Sequence, residues 1–137
     1  MATRVSNNLW IASWEEAKQL IPNLNNPLVF NCTRDLPFVS ENTIRIPIDD
    51  TPTHSEYLNK VIFKICRKMY EYISSGSPVV VHCLAGRSRS CSVVACYLTI
   101  YGESIEDQVE FIRKIRPGSL MFNNFQDTID RVKRNVI

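Results

Sequence analysis

Cys83 and Arg89 stand six positions apart, separated by Leu84, Ala85, Gly86, Arg87 and Ser88. A cysteine thiolate is a nucleophile, and a guanidinium offers planar, paired donors that suit a phosphate-like oxyanion. Ahead of Cys83 run Val79, Val80, Val81 and His82, and three successive valines read as a fully buried strand. Beyond Arg89 and Ser90 an apolar helical pattern begins. A strand, a tight loop and a helix start aim backbone N–H groups and the positive end of a helix dipole at one point. Such a point is an anion cradle with Cys83 at its base, where a cysteine is expected to be a thiolate at neutral pH. These parts suit a nucleophile and the clamp for a phosphoryl substrate. A Cys–His protease would use Cys83 and His82 but would leave Arg89 and the amides without a purpose. His82, at a buried strand end, reads as a structural residue that orders the loop and tunes the thiol.

The run from His82 to Ser90, His-Cys-Leu-Ala-Gly-Arg-Ser-Arg-Ser after a valine-rich strand, resembles the signature loop of cysteine-dependent protein tyrosine phosphatases, in particular their dual-specificity branch. The resemblance extends from about Arg4 to Val132. It implies an α/β three-layer sandwich, with a central, mostly parallel sheet of four to five strands flanked by helices. It also implies hydrolysis of phosphate monoesters on phosphotyrosine and phosphoserine/phosphothreonine proteins through a phosphocysteine intermediate. Carried over by position, Cys83 attacks phosphorus, and Arg89 with the backbone N–H groups of residues 84–89 holds the equatorial oxygens. Ser90 hydrogen-bonds the sulfur and so makes it a better leaving group in the second step. The family's general acid often sits in an Ile-Pro-x-x-Asp pattern. Ile46-Pro47-Ile48-Asp49-Asp50 puts Asp50 in that place, with Asp49 as the fallback. No metal and no cofactor is implied, because Arg89 and the amides do the neutralising. One departure stands out. Met121-Phe122 occupies the place of the family's Pro-Asn ahead of the last helix, where the Asn braces the loop; Asn123 or Asn124 is the candidate substitute.

The composition bounds the rest. The chain has 137 residues and 45% hydrophobic content, enough for one domain with a real core, spanning 1–137. A formal charge of +2 gives no argument for nucleic-acid binding. No apolar run approaches 18 residues and no signal-peptide pattern opens the chain, so a soluble cytoplasmic or nuclear protein without a membrane anchor is expected. Five cysteines in irregular spacing, with no CxxC pair, read as reduced thiols. The expected partner is a phosphorylated protein. By the same resemblance, Arg87 stands where many protein-directed members have an apolar residue, and its charge leaves a phosphoinositide or an RNA 5′ end as alternative substrates; against these, lipid- and RNA-directed relatives tend to have Thr then Gly where this chain has Ser90 and Cys91. Phe122 keeps a weak or inactive phosphate-binding pseudophosphatase as a further alternative.

Elements must position these groups. Residues 8–12 read as a first strand, with a short edge strand as the family analogue. Ser13 with Glu16 forms a capping box for a first helix. Residues 28–32 and 43–48 read as further strands, and in the family the former neighbours the strand that ends in Cys83. Both then end where open α/β sheets place their sites. Cys32 thereby becomes a possible redox partner of Cys83, within disulfide reach. Thr53 and Glu56 suggest a second capping box, opening a long helix to about Ile73. Leu58, Val61, Ile62, Ile65 and Met69 lie on its inner face, with a basic outer face read as solvated surface. Residues 91–101 form the helix behind the loop. Ser104 with Asp107 caps another helix, whose Ile105, Val109, Ile112 and Ile115 turn inward. Arg116-Pro117-Gly118 is a turn, and residues 123–136 form the last helix. The connections are short, so a shallow cradle is expected, open to both phosphotyrosine and phosphothreonine.

Overall fold

The computed structural model describes residues 1–102 and 107–136. Its centre is a five-stranded sheet: β1 (Thr3–Ser6), β2 (Leu9–Ala12), β3 (Leu28–Asn31), β4 (Thr43–Arg45) and β5 (Val79–His82). The spatial order is β1-β2-β5-β3-β4. All neighbours run parallel except β1, which pairs antiparallel with β2. Side chains alternate across a strand, and β5 uses both faces. Val79, Val81 and Cys83 enter the larger core, whereas Val80 joins a smaller one with Ala12, Ala17, Ile21 and Val29.

One helix, α1 (Trp14–Leu20), covers the smaller core. The other face is packed by α2 (Ser55–Ser74), α3 (Arg89–Tyr101), α4 (Gln108–Ile115) and α5 (Gln126–Val136). Leu58, Ile62, Ile65 and Met69 of α2 are buried, and so are Val93, Val94 and Tyr97 of α3. The layers are therefore helix, sheet and helices, as the expected sandwich requires.

Ser13 caps α1 as its sequence implies. Its hydroxyl accepts from the Glu16 N–H, while the Glu16 carboxylate accepts from the Ser13 N–H. The second expected box does not form. Pro52–His54 takes a 3-10 turn, His54 becomes the N-cap residue without a side-chain cap, and Ser55 Oγ donates to Pro52 O. Pro47 helps stop β4 at Arg45 instead of Ile48, since proline donates nothing to a ladder. Residues 8–12 lie inside the sheet and not at its edge, because β1 pairs outside them. The last helix starts at Gln126, after Asn123 takes a left-handed φ of 48°. Asp107 caps α4 through the Val109 and Glu110 N–H groups. The expected roles of Ser104 and Ile105 lie outside the described residues. Ile115 is half-buried.

Candidate active site

β5 delivers Cys83 to the C-terminal edge of the sheet, and α3 starts six residues later. Between them the backbone turns tightly around the sulfur. The Gly86 N–H donates to Cys83 Sγ at 3.2 Å, and the Ser90 hydroxyl lies 3.3 Å from the same sulfur. Cys83 is almost fully buried, while Leu84, Ala85 and Arg87 on the rim are exposed. Gly86 is required twice over. Its φ is +71°, and a Cβ there would lie 2.6 Å from the Ala12 carbonyl carbon and the Ser13 nitrogen.

The loop carbonyls are taken by donors outside it. Leu84 O accepts from Trp14 N–H, Arg87 O from Leu120 N–H, and Ser88 O from both the N–H and the hydroxyl of Ser92. Gly86 O accepts from Arg116 Nε at 2.6 Å and from the Cys91 thiol. Burial pushes the Cys91 thiol up to about 11, so it stays protonated and able to donate. With these carbonyls engaged elsewhere, the amides are left for an anion. Ser88 makes no capping bond at α3, so the positive end of that helix is also open to one.

Arg89 donates to Ile48 O at 3.1 Å, which ties the guanidinium to the loop carrying Asp49 and Asp50. The two aspartates part company there. Asp50 Oδ1 accepts from Ser88 Oγ at 2.7 Å and from Asn124 Nδ2 at 2.9 Å, so its carboxylate sits at the cradle rim. Asp49 instead accepts from Arg34 Nε at 2.9 Å, and its own N–H donates to His54 Nδ1. Asn124, one of two candidate substitutes for the missing Asn, thus braces Asp50 and not the signature loop. Phe122 projects outward at 84% exposure. Arg87 donates to Pro117 O along the neighbouring turn.

His82 is wholly buried, and burial lowers its pKa, so the ring is neutral. Its Nδ1 donates to Cys83 O at 3.3 Å and makes no bond to the sulfur. This geometry suits the structural role expected of it. Cys32 continues the ladder past β3, donating its N–H to His82 O, so it lies beside Cys83 on the same face of the sheet. Burial pushes its thiol well above the usual range.

Sequence reasoning missed Arg116 and Glu16 at the site. Arg116 reads as part of a turn, yet its guanidinium joins Gly86 O, Thr3 Oγ1, Met1 O and Glu16 Oε1. Glu16, read only as a capping residue, meets the Met1 ammonium as well. A lone Arg-Pro pair gives no local sign of a partner a hundred positions away.

Residues 9–135 match the family described as dual specificity phosphatase, catalytic domain. The chain belongs to this family. It is 29% identical over 145 residues to mouse dual specificity protein phosphatase 8, covering 98% of this chain but 21% of that protein. It is 32% identical over 101 residues to monkeypox virus dual specificity protein phosphatase OPG106, covering 70% of this chain and 57% of that one. The chain therefore spans only part of these curated relatives. The fold is similar to the crystal structure of human DUSP28, with a TM-score of 0.86 at 23% identity, covering 98% of this chain and 93% of the other. Among the described residues no helix is long and apolar enough to cross a membrane.

The Glu16 contacts predict an acid-sensitive brace. Burial alone would raise the Glu16 pKa, but the Met1 ammonium, the Ser13 N–H and Arg116 outweigh it and hold the group at about 2, against an ordinary 4.5. A depressed folded value adds stability that is complete above the unfolded pKa and is lost as pH falls through the folded one. Urea midpoints of the wild type and Glu16→Gln should therefore differ above pH ~5 and converge toward pH ~2. The gap at neutral pH should be at most about 3 kcal/mol, and less because the exposed ammonium is screened. A gap that stays constant down to pH ~2 would remove Glu16 from this role.

Proposed function

We propose that this chain hydrolyses phosphate monoesters on phosphotyrosine and on phosphoserine or phosphothreonine of protein substrates, through a phosphocysteine intermediate on Cys83. The observation that carries this reading is the convergence on one loop of the Cys83 sulfur, free amides, Arg89 and, at the rim, the Asp50 carboxyl.

The Cys83 thiolate attacks phosphorus in line with the leaving oxygen. Charge spreads over three equatorial oxygens, where the amides of residues 84–89 and the Arg89 fork stabilise it. Asp50 gives its proton to the departing oxygen as the P–O bond breaks. A water then attacks the phosphocysteine and hands a proton to the Asp50 carboxylate, while the S–P bond breaks. Ser90 Oγ, beside the sulfur, donates to the departing thiolate. Inorganic phosphate leaves, and the protein is returned to its starting state.

The exposed rim residues and the exposed Asp50 support a shallow cradle. A seryl or threonyl phosphate stands closer to its backbone than a tyrosyl one, and a shallow site admits both. The contacts support Asp50 as the acid: the Asp49 carboxylate pairs with Arg34 on the loop after β3, whereas that of Asp50 meets Ser88 of the signature loop.

Cys83→Ser, a nearly isosteric change, should abolish turnover and keep the fold. Arg89→Lys keeps the charge but loses the fork, and should lower kcat by roughly 10²–10³ with a much smaller change in KM. Steady-state rates on an aryl phosphate check both; a working serine variant would overturn the nucleophile assignment.

Asp50→Asn should slow a phosphothreonine peptide far more than an activated aryl phosphate, because only an alkoxide depends heavily on protonation. Asp49→Asn should leave that ratio near the wild-type value. Equal losses on both substrates, or a loss confined to Asp49→Asn, would overturn the acid assignment.

Cys32 is proposed as the redox partner. Adjacent strands lie about 4.8 Å apart, inside the Cα window for a disulfide. Peroxide would oxidise the Cys83 thiolate to a sulfenic acid, releasing hydroxide. The Cys32 thiol would then displace the sulfenic oxygen as water, giving the disulfide. Peptide mapping after mild peroxide should find a Cys32–Cys83 bridge reversible by dithiothreitol. Direct passage of Cys83 to sulfinic acid, with Cys32 untouched, rejects the pairing.

A further inference from the structure

Away from the cradle, α2 and the outer edge of the sheet leave an open groove of about 460 Å³. Its floor is apolar: Phe30, Ile46 and Ile65 are buried beneath it. Its walls are Ile44 and Tyr57, both exposed, with half-buried Val61. Ile44 belongs to β4, the last strand of the sheet, which pairs on one side only. An edge strand offers unpaired N–H and C=O groups to any extended chain laid beside it.

The rim of the groove is positive. Lys64, Arg67 and Lys68 line it, and Lys60 lies one turn before Lys64 on the same helix. Lys60, Lys64 and Lys68 repeat at four-residue spacing, where like charges destabilise a helix. Glu71 is the acidic residue of the lining, and it pairs with Arg67. Lys68 lies over the Tyr72 ring, and among the described residues no carboxylate stands within ion-pair reach of Lys60 or Lys64. Arg45 is engaged, donating to Thr33 O and Leu36 O and stacking on Phe38.

We propose that this groove is a docking site for an extended, acidic and apolar segment of the phosphoprotein substrate. Its apolar side chains fill the space over Phe30, Ile46 and Ile65. Its carboxylates meet Lys64 and Lys68, and its backbone adds to the free edge of β4. A concave floor next to a free strand edge suits a peptide; a lipid surface could not use the backbone groups. The inference rests on the protein-phosphatase reading and deepens it. Five residues of chain lead from Arg45 to Asp50, a reach of at most about 18 Å. A substrate needs a spacer of comparable length between its docking segment and its phosphorylated residue.

Two phosphotyrosine peptides with the same spacer would test this, one ending in alternating acidic and bulky apolar residues, the other in serines and glycines. The first should show a kcat/KM about 10-fold higher, nearly all of it in KM, as expected of binding energy expressed equally in the ground state and the transition state. Lys64→Glu combined with Lys68→Glu should erase that advantage, as should Ile44→Asp alone. Turnover of a small aryl phosphate should stay at the wild-type value in both variants. Fluorescence anisotropy of the unphosphorylated acidic peptide reads the groove independently of catalysis. Equal kcat/KM for the two peptides, with normal aryl phosphate turnover, overturns docking alone. Peptide binding without any turnover overturns the coupling to a phosphatase reaction. Binding to phosphatidylserine vesicles that is lost in the charge-reversed variant, without peptide preference, would make the groove a membrane contact. Concentration-dependent dimers abolished by Ile44→Asp, again without peptide preference, would make it a contact between two copies.

Discussion

The cradle depends on which way the peptide planes of one short loop face. A peptide unit that turns its N–H inward must turn its carbonyl outward, and a buried carbonyl without a partner is costly. This chain meets the requirement with donors from several separate segments: Trp14 at the start of α1, Ser92 in α3, Arg116 after α4, and Leu120 ahead of α5. The 2.6 Å bond from Arg116 to Gly86 O is the centre of that arrangement, because Gly86 also supplies the N–H that reaches the sulfur. Glu16 holds Arg116 in place, so the first helix and the turn after α4 act on the loop together.

The parts of the site that were legible in the sequence are those whose cause is local. A valine run makes a buried strand, a glycine makes a left-handed turn, and the apolar spacing after Ser90 makes a helix. These three together place Cys83, Gly86 and Arg89 with little help from the rest of the chain. The capping box at Ser13 was legible for the same reason. The box at Thr53 failed for a local reason of the opposite kind. Pro52 favours a tight turn, and the His54 ring is occupied by the Asp49 N–H. β1 was missed because Thr-Arg-Val-Ser has only one apolar residue, and its pairing with β2 supplies what its own pattern lacks. Arg116 was missed because its four partners are scattered over the chain.

The acid loop is the clearest case of neighbours separated by tertiary contacts. Asp49 and Asp50 are chemically identical and adjacent, and nothing local to them assigns different tasks. Arg34, on the loop after β3, draws one carboxylate away from the cradle. Asn124, just before α5, draws the other over it. His54, at the start of α2, fixes the backbone just ahead of Asp49 by accepting from its N–H. The Ile-Pro-x-x-Asp resemblance names Asp50 as the proposed acid and Asp49 as the fallback, and the contacts give the two carboxylates different surroundings.

Ser88 shows how this loop sets stability against chemistry. As the N-cap residue of α3 it is of the type that commonly accepts from the first turn of a helix, a bond worth about 1 kcal/mol. Here its hydroxyl donates to Asp50 instead, and the helix end is left uncapped. The same choice has two effects. It leaves the first-turn N–H groups of α3 for an anion, and it holds a carboxylate at the rim. A bound phosphoryl group would take over as the missing cap, since its oxygens meet the same N–H groups and the same end of the helix dipole. The helix start is thus least satisfied when the cradle is empty. Anion binding and local stability are then linked through one set of donors, so whatever enters the cradle stabilises the loop that holds it.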